Sequence, residues 1–88
     1  MRQKIFVICD GPRYASHCLA ISDEGHLPFC NWYDPENRGA DLGYLVACDS
    51  VRVFLLDEVP LPHIQLLLDV ADALGKPVLV EYDDADAA

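Results

Sequence analysis

The hydrophobic pattern alternates between two periods along the chain. Lys4–Cys9 (KIFVIC) and Val51–Leu56 (VRVFLL) are near-continuous apolar runs rich in β-branched residues, the composition of strands buried on both faces. Asp10-Gly11-Pro12 interrupts the first run. Pro12 suits the first position of a helix capped by Asp10 or Gly11. Tyr14, Ala15, Cys18, Leu19 and Ser22 then recur at helical spacing and predict a short helix to about Ser22. The same stretch admits a rival reading, because Ser22-Asp23-Glu24-Gly25 is hairpin chemistry and would make Cys18–Ile21 a strand paired antiparallel to the next one. Leu27–Tyr33 predicts the second strand, and Pro28, which cannot donate to a ladder, puts it at a sheet edge. Asp34-Pro35-Glu36 is a helix start, and that helix is expected to run to about Ala47. After the loop Asp57–Pro62, residues Ile64, Leu67, Leu68, Ala71 and Leu74 form one helical face, with Gln65, Asp69 and Asp72 opposite. Gly75 and Pro77 end this helix, and Val78–Tyr82 predicts a fourth strand.

The order βαβαβαβ implies a parallel sheet with right-handed crossovers. The two wholly apolar strands belong in the centre, and the Pro-bearing second strand and the terminal fourth belong at the edges. The expectation is a small flavodoxin-like three-layer α/β sandwich with sheet order 2-1-3-4. Residues 1–82 make one domain and residues 83–88 an acidic tail.

Charge narrows the partners. The 88 residues carry a net charge of −9. Residues 1–40 hold five acids against four bases, whereas residues 41–88 hold ten acids against only Arg52 and Lys76. Such a field repels phosphate backbones, so direct nucleic-acid binding is not expected. It favours a protein partner with a basic surface, met by Asp69, Asp72, Asp83, Asp84 and Asp86; a homodimer is compatible with it. No apolar run approaches the ~20 residues of a membrane span, and no apolar core follows the basic N-terminus as in a signal peptide. None of Cys9, Cys18, Cys30 and Cys48 forms a C-x-x-C pair. The expectation is reduced core thiols, no metal site and a cytoplasmic protein.

In a doubly wound sheet, ligands bind beyond the strand carboxyl ends where the winding reverses. That point lies between strands one and three. Asp10 and Asp57 are expected to face each other there and are the candidate catalytic carboxylates. Gly11, Arg13, Tyr14, Glu58 and His63 complete the expected ligand site. Asp10-Gly11-Pro12-Arg13 matches neither the dinucleotide nor the P-loop fingerprint, and no cofactor is expected. It offers amides and one cation to a phosphate at a helix N-terminus. His17 and His26 have no Cys or acid at ligand spacing and read as structural or surface residues.

Four segments resemble the nucleoside 2-deoxyribosyltransferase-like superfamily, in particular its small bacterial and phage members. They are Lys4-Ile5-Phe6-Val7-Ile8-Cys9-Asp10-Gly11-Pro12, Gly25-His26 with Asn31 and Pro35, Asp41-Leu42 through Ala47-Cys48-Asp49-Ser50-Val51, and Ala71-Asp72-Ala73-Leu74-Gly75-Lys76-Pro77-Val78. Members that cleave N-glycosidic bonds carry a nucleophilic Glu eight residues before the Gly of Gly-Lys-Pro; here that position is Leu67, which cannot form the covalent intermediate. Asp69 lies about 200° further around the helix and does not replace it. The resemblance therefore implies the fold without the reaction. The functional expectation is a non-catalytic binding protein acting through a protein partner, in the manner of a phage or mobile-element inhibitor of a nucleic-acid-binding machine. The alternatives are a nucleotide or nucleoside-phosphate binder, and an N-glycosidase with an altered site using Asp10 or Asp57.

Overall fold

The computed structural model describes residues 2–30 and 38–83, with the backbone alone for residue 30 and residues 38–40. The elements run β1 (Lys4–Cys9), α1 (Tyr14–Asp23), β2 (Leu27–Cys30), α2 (Arg38–Ala47), β3 (Ser50–Leu55), α3 (Pro62–Ala73) and β4 (Val78–Tyr82). The four strands form one sheet in the order β2-β1-β3-β4, and all three pairings are parallel. The expected small flavodoxin-like α/β sandwich is present. The hairpin alternative is corrected: Cys18–Ile21 is helical and β2 pairs parallel to β1. The expected strand residues Asn31, Trp32 and Tyr33 and the helix start Asp34-Pro35-Glu36 lie outside the described residues.

The register explains the two-sided core. Ile8 pairs with Val53, and Val53 with Val80. Phe6, Ile8, Val51, Val53 and Leu55 point to one face, where Leu45 and Cys48 at α2 and Ile64, Leu67 and Ala71 of α3 cover them. Ile5, Val7 and Phe54 point to the other face, under Ile21 of α1. One helix is therefore left to cover one face and two the other, as right-handed crossovers in this strand order require. Every residue of β4 is exposed, consistent with an edge. Among the described residues, no helix is long and apolar enough to cross a membrane.

Three local expectations are corrected. The first concerns where α1 begins. It starts at Tyr14 with Arg13 at its cap and no side-chain capping bond, so neither Asp10 nor Gly11 caps it. The reason is that Asp10 still donates its N–H to the Phe54 carbonyl at 2.9 Å; the chain follows the sheet through residue 10 and needs three more to turn. The second concerns the buried face of α1. Tyr14 and Ile21 are buried, with His17 and Cys18 half-buried between them, while Leu19 is 65% exposed. The helix is rotated from the hydropathy-based stripe because the His17 ring lies flat on Phe54, centroids 3.6 Å apart. The third is Leu74, which caps α3 and stands 47% exposed instead of extending the inward stripe.

The end of α3 follows its sequence signals. Gly75 adopts φ +72°, a conformation that costs an L side chain roughly 1–2 kcal/mol. The next residue, Lys76, donates its Nζ to the carbonyls of Cys48 and Val46 at 2.8 and 3.2 Å. It thus satisfies carbonyls at the C-terminal end of α2, where a cation also meets the negative end of the helix dipole.

Candidate functional site

A pocket of about 290 Å³ opens at the carboxyl end of β1, on the face covered by α2 and α3. Phe6, Ile8 and the terminal residue Cys9 reach it from β1, Asp10 and Gly11 from the turn after it, and Tyr14 from the first turn of α1. Asp41 enters from α2, and Leu61, His63, Ile64 and Leu67 from the start of α3. Pro62 at the first position of α3 sets that helix start. A Cβ at Gly11 would stand 2.9 Å from Leu56 Cδ2, so the Leu56 side chain, just past β3, packs directly over this turn.

Of the expected site residues, Asp10, Gly11, Tyr14 and His63 do meet at this pocket. Arg13 is exposed and not on its wall, and neither are Asp57 and Glu58, which are exposed in the loop after β3. The pocket is lined from β1, α1, α2 and α3, so the carboxylate that shares it with Asp10 is Asp41. Asp41 is 6% exposed. Sequence reasoning passed over it, yet a signal existed: Asp41, Leu45 and Cys48 fall at i, i+4 and i+7, which puts the acid on the inward stripe. Leu67, at the position where the resembled enzymes carry their nucleophile, does line the pocket and is 8% exposed.

A second constellation sits on the opposite face of the sheet. His17 Nε2 and Asp83 Oδ2 are 2.7 Å apart. One donor atom each from Cys9, His17 and Asp83 lie within 4.8 Å of one another. The expectation that His17 has no acid or Cys partner is thereby corrected, because the fold joins residues 66 positions apart. It also removes Asp83 from the expected acidic docking cluster: its side chain is only 7% exposed and turned inward to His17. Asp69 and Asp72 are exposed on α3, Asp69 accepting a bond from Gln65 at 2.9 Å. Asp84 and Asp86 lie outside the described residues.

The thiols divide. Cys9 and Cys48 are free, whereas Cys18 is disulfide-bonded. The expectation of uniformly reduced cysteines is corrected for Cys18, since apolar patterning says nothing of thiol–thiol distance. The cytoplasmic expectation loses the support it drew from reduced thiols. Burial raises the pKa of Cys9, and the nearby charges of Asp83 and Asp10 add to it. Burial likewise raises Cys48 and carries Tyr14 well above the ordinary phenol range.

These three shifts predict alkaline lability. Each group is held neutral in the folded chain, so its contribution is complete below its unfolded pKa and is lost as pH rises toward the folded one. Stability should fall progressively from about pH 9, where unfolded thiols ionise, and further near pH 10, where unfolded tyrosine does. Urea midpoints between pH 7 and 10.5 check this. Tyr14→Phe should flatten the upper part of the slope, and an unchanged slope would contradict the assignment to Tyr14.

Compared with family models, curated proteins and solved structures, the chain matches none.

Proposed function

We propose that the protein binds a neutral small molecule of nucleoside type in the pocket beyond β1 and does not cleave it. The observation that carries this reading is the division of the pocket wall. Asp10 and Asp41 stand among largely apolar surroundings, with Leu61, Ile64 and Leu67 supplied by the α3 side, and among the described residues no Lys or Arg lines the pocket. An ionised carboxylate only accepts hydrogen bonds, so this wall favours hydroxyl or amine donors such as those of a sugar. It disfavours phosphate, which sharpens the expectation of a nucleotide to that of a nucleoside. Phe6, Tyr14 and the aliphatic wall suit a flat base, and the volume is near the low end of the ~300–1,000 Å³ typical of ligand sites. Leu67 supplies contact area where a nucleophile would be needed for glycoside cleavage.

Capture of a basic protein is the weaker reading, because Asp69 and Asp72 are the described residues left to it.

Thermal unfolding in the presence of adenosine, guanosine, cytidine and thymidine, each beside its monophosphate, tests the proposal. A nucleoside at ten times its Kd adds about 1.4 kcal/mol, which is several degrees in Tm for a domain of this size. The shift should exceed that of the monophosphate and vanish in Asp41→Asn. No shift with any nucleoside, or a larger one with the monophosphates, would overturn the reading.

A further inference from the structure

We propose that Cys9, His17 and Asp83 form a binding site for a borderline-soft divalent cation of the zinc type. The three residues come from three elements that the sheet holds together. Cys9 ends β1, His17 lies one turn into α1, and Asp83 directly follows β4. Asp83 is anchored by its N–H donating to the Leu55 carbonyl at 2.7 Å. His17 is held by its ring stacked on Phe54, interplanar angle 7°, and by its N–H bonded to the Arg13 carbonyl at 3.1 Å. Donor atoms fixed by backbone and packing in this way are preorganised.

The three donor atoms come within about an ångström of the spacing a shared ion needs. Zinc bonds of ~2.0–2.3 Å to nitrogen, oxygen and sulfur place ligand atoms of a tetrahedral shell roughly 3.3–3.8 Å apart. One donor atom of each residue lies within 4.8 Å of the other two. The pair His17 Nε2 and Asp83 Oδ2, now 2.7 Å apart, would open by roughly 0.6–0.7 Å as the cation replaces the proton between them.

The donor set selects the ion. Sulfur and imidazole nitrogen favour zinc-like ions over magnesium or calcium, which take oxygen ligands. A thiolate and a carboxylate together neutralise a divalent charge, which allows the ion to sit at partly buried groups. Burial and the two nearby carboxylates keep the Cys9 thiol protonated in the metal-free protein. Binding therefore displaces that proton to solvent, forming the metal–sulfur bond as the S–H bond breaks. Three protein ligands leave a fourth position for water or an exogenous ligand, the arrangement of open zinc sites.

Titration of the purified 88-residue chain with Co²⁺, followed by competition with Zn²⁺, tests the site. The expected result is one equivalent of Co²⁺ producing a thiolate-to-cobalt charge-transfer band and intense visible bands of tetrahedral coordination, both erased by one equivalent of Zn²⁺. Cys9→Ser should abolish the charge-transfer band. His17→Gln and Asp83→Asn should each weaken binding by at least the roughly 10–100-fold that loss of an outer-shell partner costs, while Cys48→Ala leaves the spectrum unchanged. Circular dichroism checks that each variant is folded. Should Cys9→Ser fail to fold, protection of wild-type Cys9 from iodoacetamide by Zn²⁺, mapped by mass spectrometry, tests the same metal–sulfur bond. Weak octahedral bands that persist in folded Cys9→Ser, or no band with excess Co²⁺, or alkylation of Cys9 unaffected by Zn²⁺, would overturn the proposal. Cys9 also lines the nucleoside pocket, but the test of that pocket uses no metal and the Asp41→Asn variant, so the two proposals fail separately.

Discussion

Phe6→Ala is expected to remove about 3–5 kcal/mol of stability. An 88-residue domain holds only about 4–13 kcal/mol in total, at ~0.05–0.15 kcal/mol per residue, so this one truncation brings the protein close to unfolding. The reason lies in the register. Phe6 is 1% exposed and pairs with Phe29 on one side and Val51 on the other. Its ring also meets Tyr44 of α2, centroids 5.7 Å apart, and Tyr44 in turn meets Phe29 at 5.9 Å. Truncation would leave a void joined to the pocket that Phe6 lines, between elements too constrained by the sheet to collapse into it. Urea unfolding followed by circular dichroism reads the loss as a lowered midpoint at constant slope. A loss below about 1 kcal/mol would be incompatible with β1 as one of the two central strands of a packed core.

Leu67→Glu is the second large effect, and its size depends on pH. Leu67 is 8% exposed, and the pocket it lines already holds Asp10 and Asp41. A carboxylate placed there loses water and meets like charges, so about 2–4 kcal/mol should be lost at pH 7. Both causes raise the pKa of the new carboxyl in the folded state. Its stability is then fullest below the unfolded value of about 4.3 and is lost as pH rises through the folded value. The difference from wild type should shrink between pH 7 and pH 4.5, measured as paired urea midpoints. The substitution restores the residue type of the resembled nucleophile, yet free base should not appear from deoxynucleosides, since a carboxyl desolvated beside Asp10 and Asp41 favours its neutral, non-nucleophilic form. Base release by this variant would revive the glycosidase reading. A pH-independent penalty would show that the new group reaches solvent.

The candidate pocket was legible in part. Asp10, Gly11, Tyr14 and His63 could be placed at one end of the sheet because they follow β1 or begin a helix, and strand ends in a parallel sheet share a side. Asp57 could not be separated from Asp41 by that rule, which locates loops but not the inward faces of helices. Asp41 joins the pocket through its place on the stripe with Leu45 and Cys48, and that required reading an acid as inward-facing.

The sequence alone pointed to the element order and the order β2-β1-β3-β4; whether Cys18–Ile21 was a helix or one arm of a hairpin it left open, and the parallel β1–β2 pairing settled that. Both orders rest on local physics: β-branched apolar runs, Pro and Gly punctuation, and the edge position that Pro28 and a terminal strand require. Only the tertiary structure decided what the side chains of α1 do. Hydropathy sets an inward stripe by excluding polar residues, but His17 turns inward because its flat ring packs on Phe54 and its nitrogen meets Asp83. Asp83 is brought there by the register of β4 on β3, in which Tyr82 pairs with Leu55; the pattern implies that the two strands are neighbours but not this register, and Cys9 arrives through β1. Periodicity reports which face of an element is apolar; the meeting of a thiol, an imidazole and a carboxylate from distant parts of the chain is set by strand register and crossover geometry, which only folding the whole domain defines.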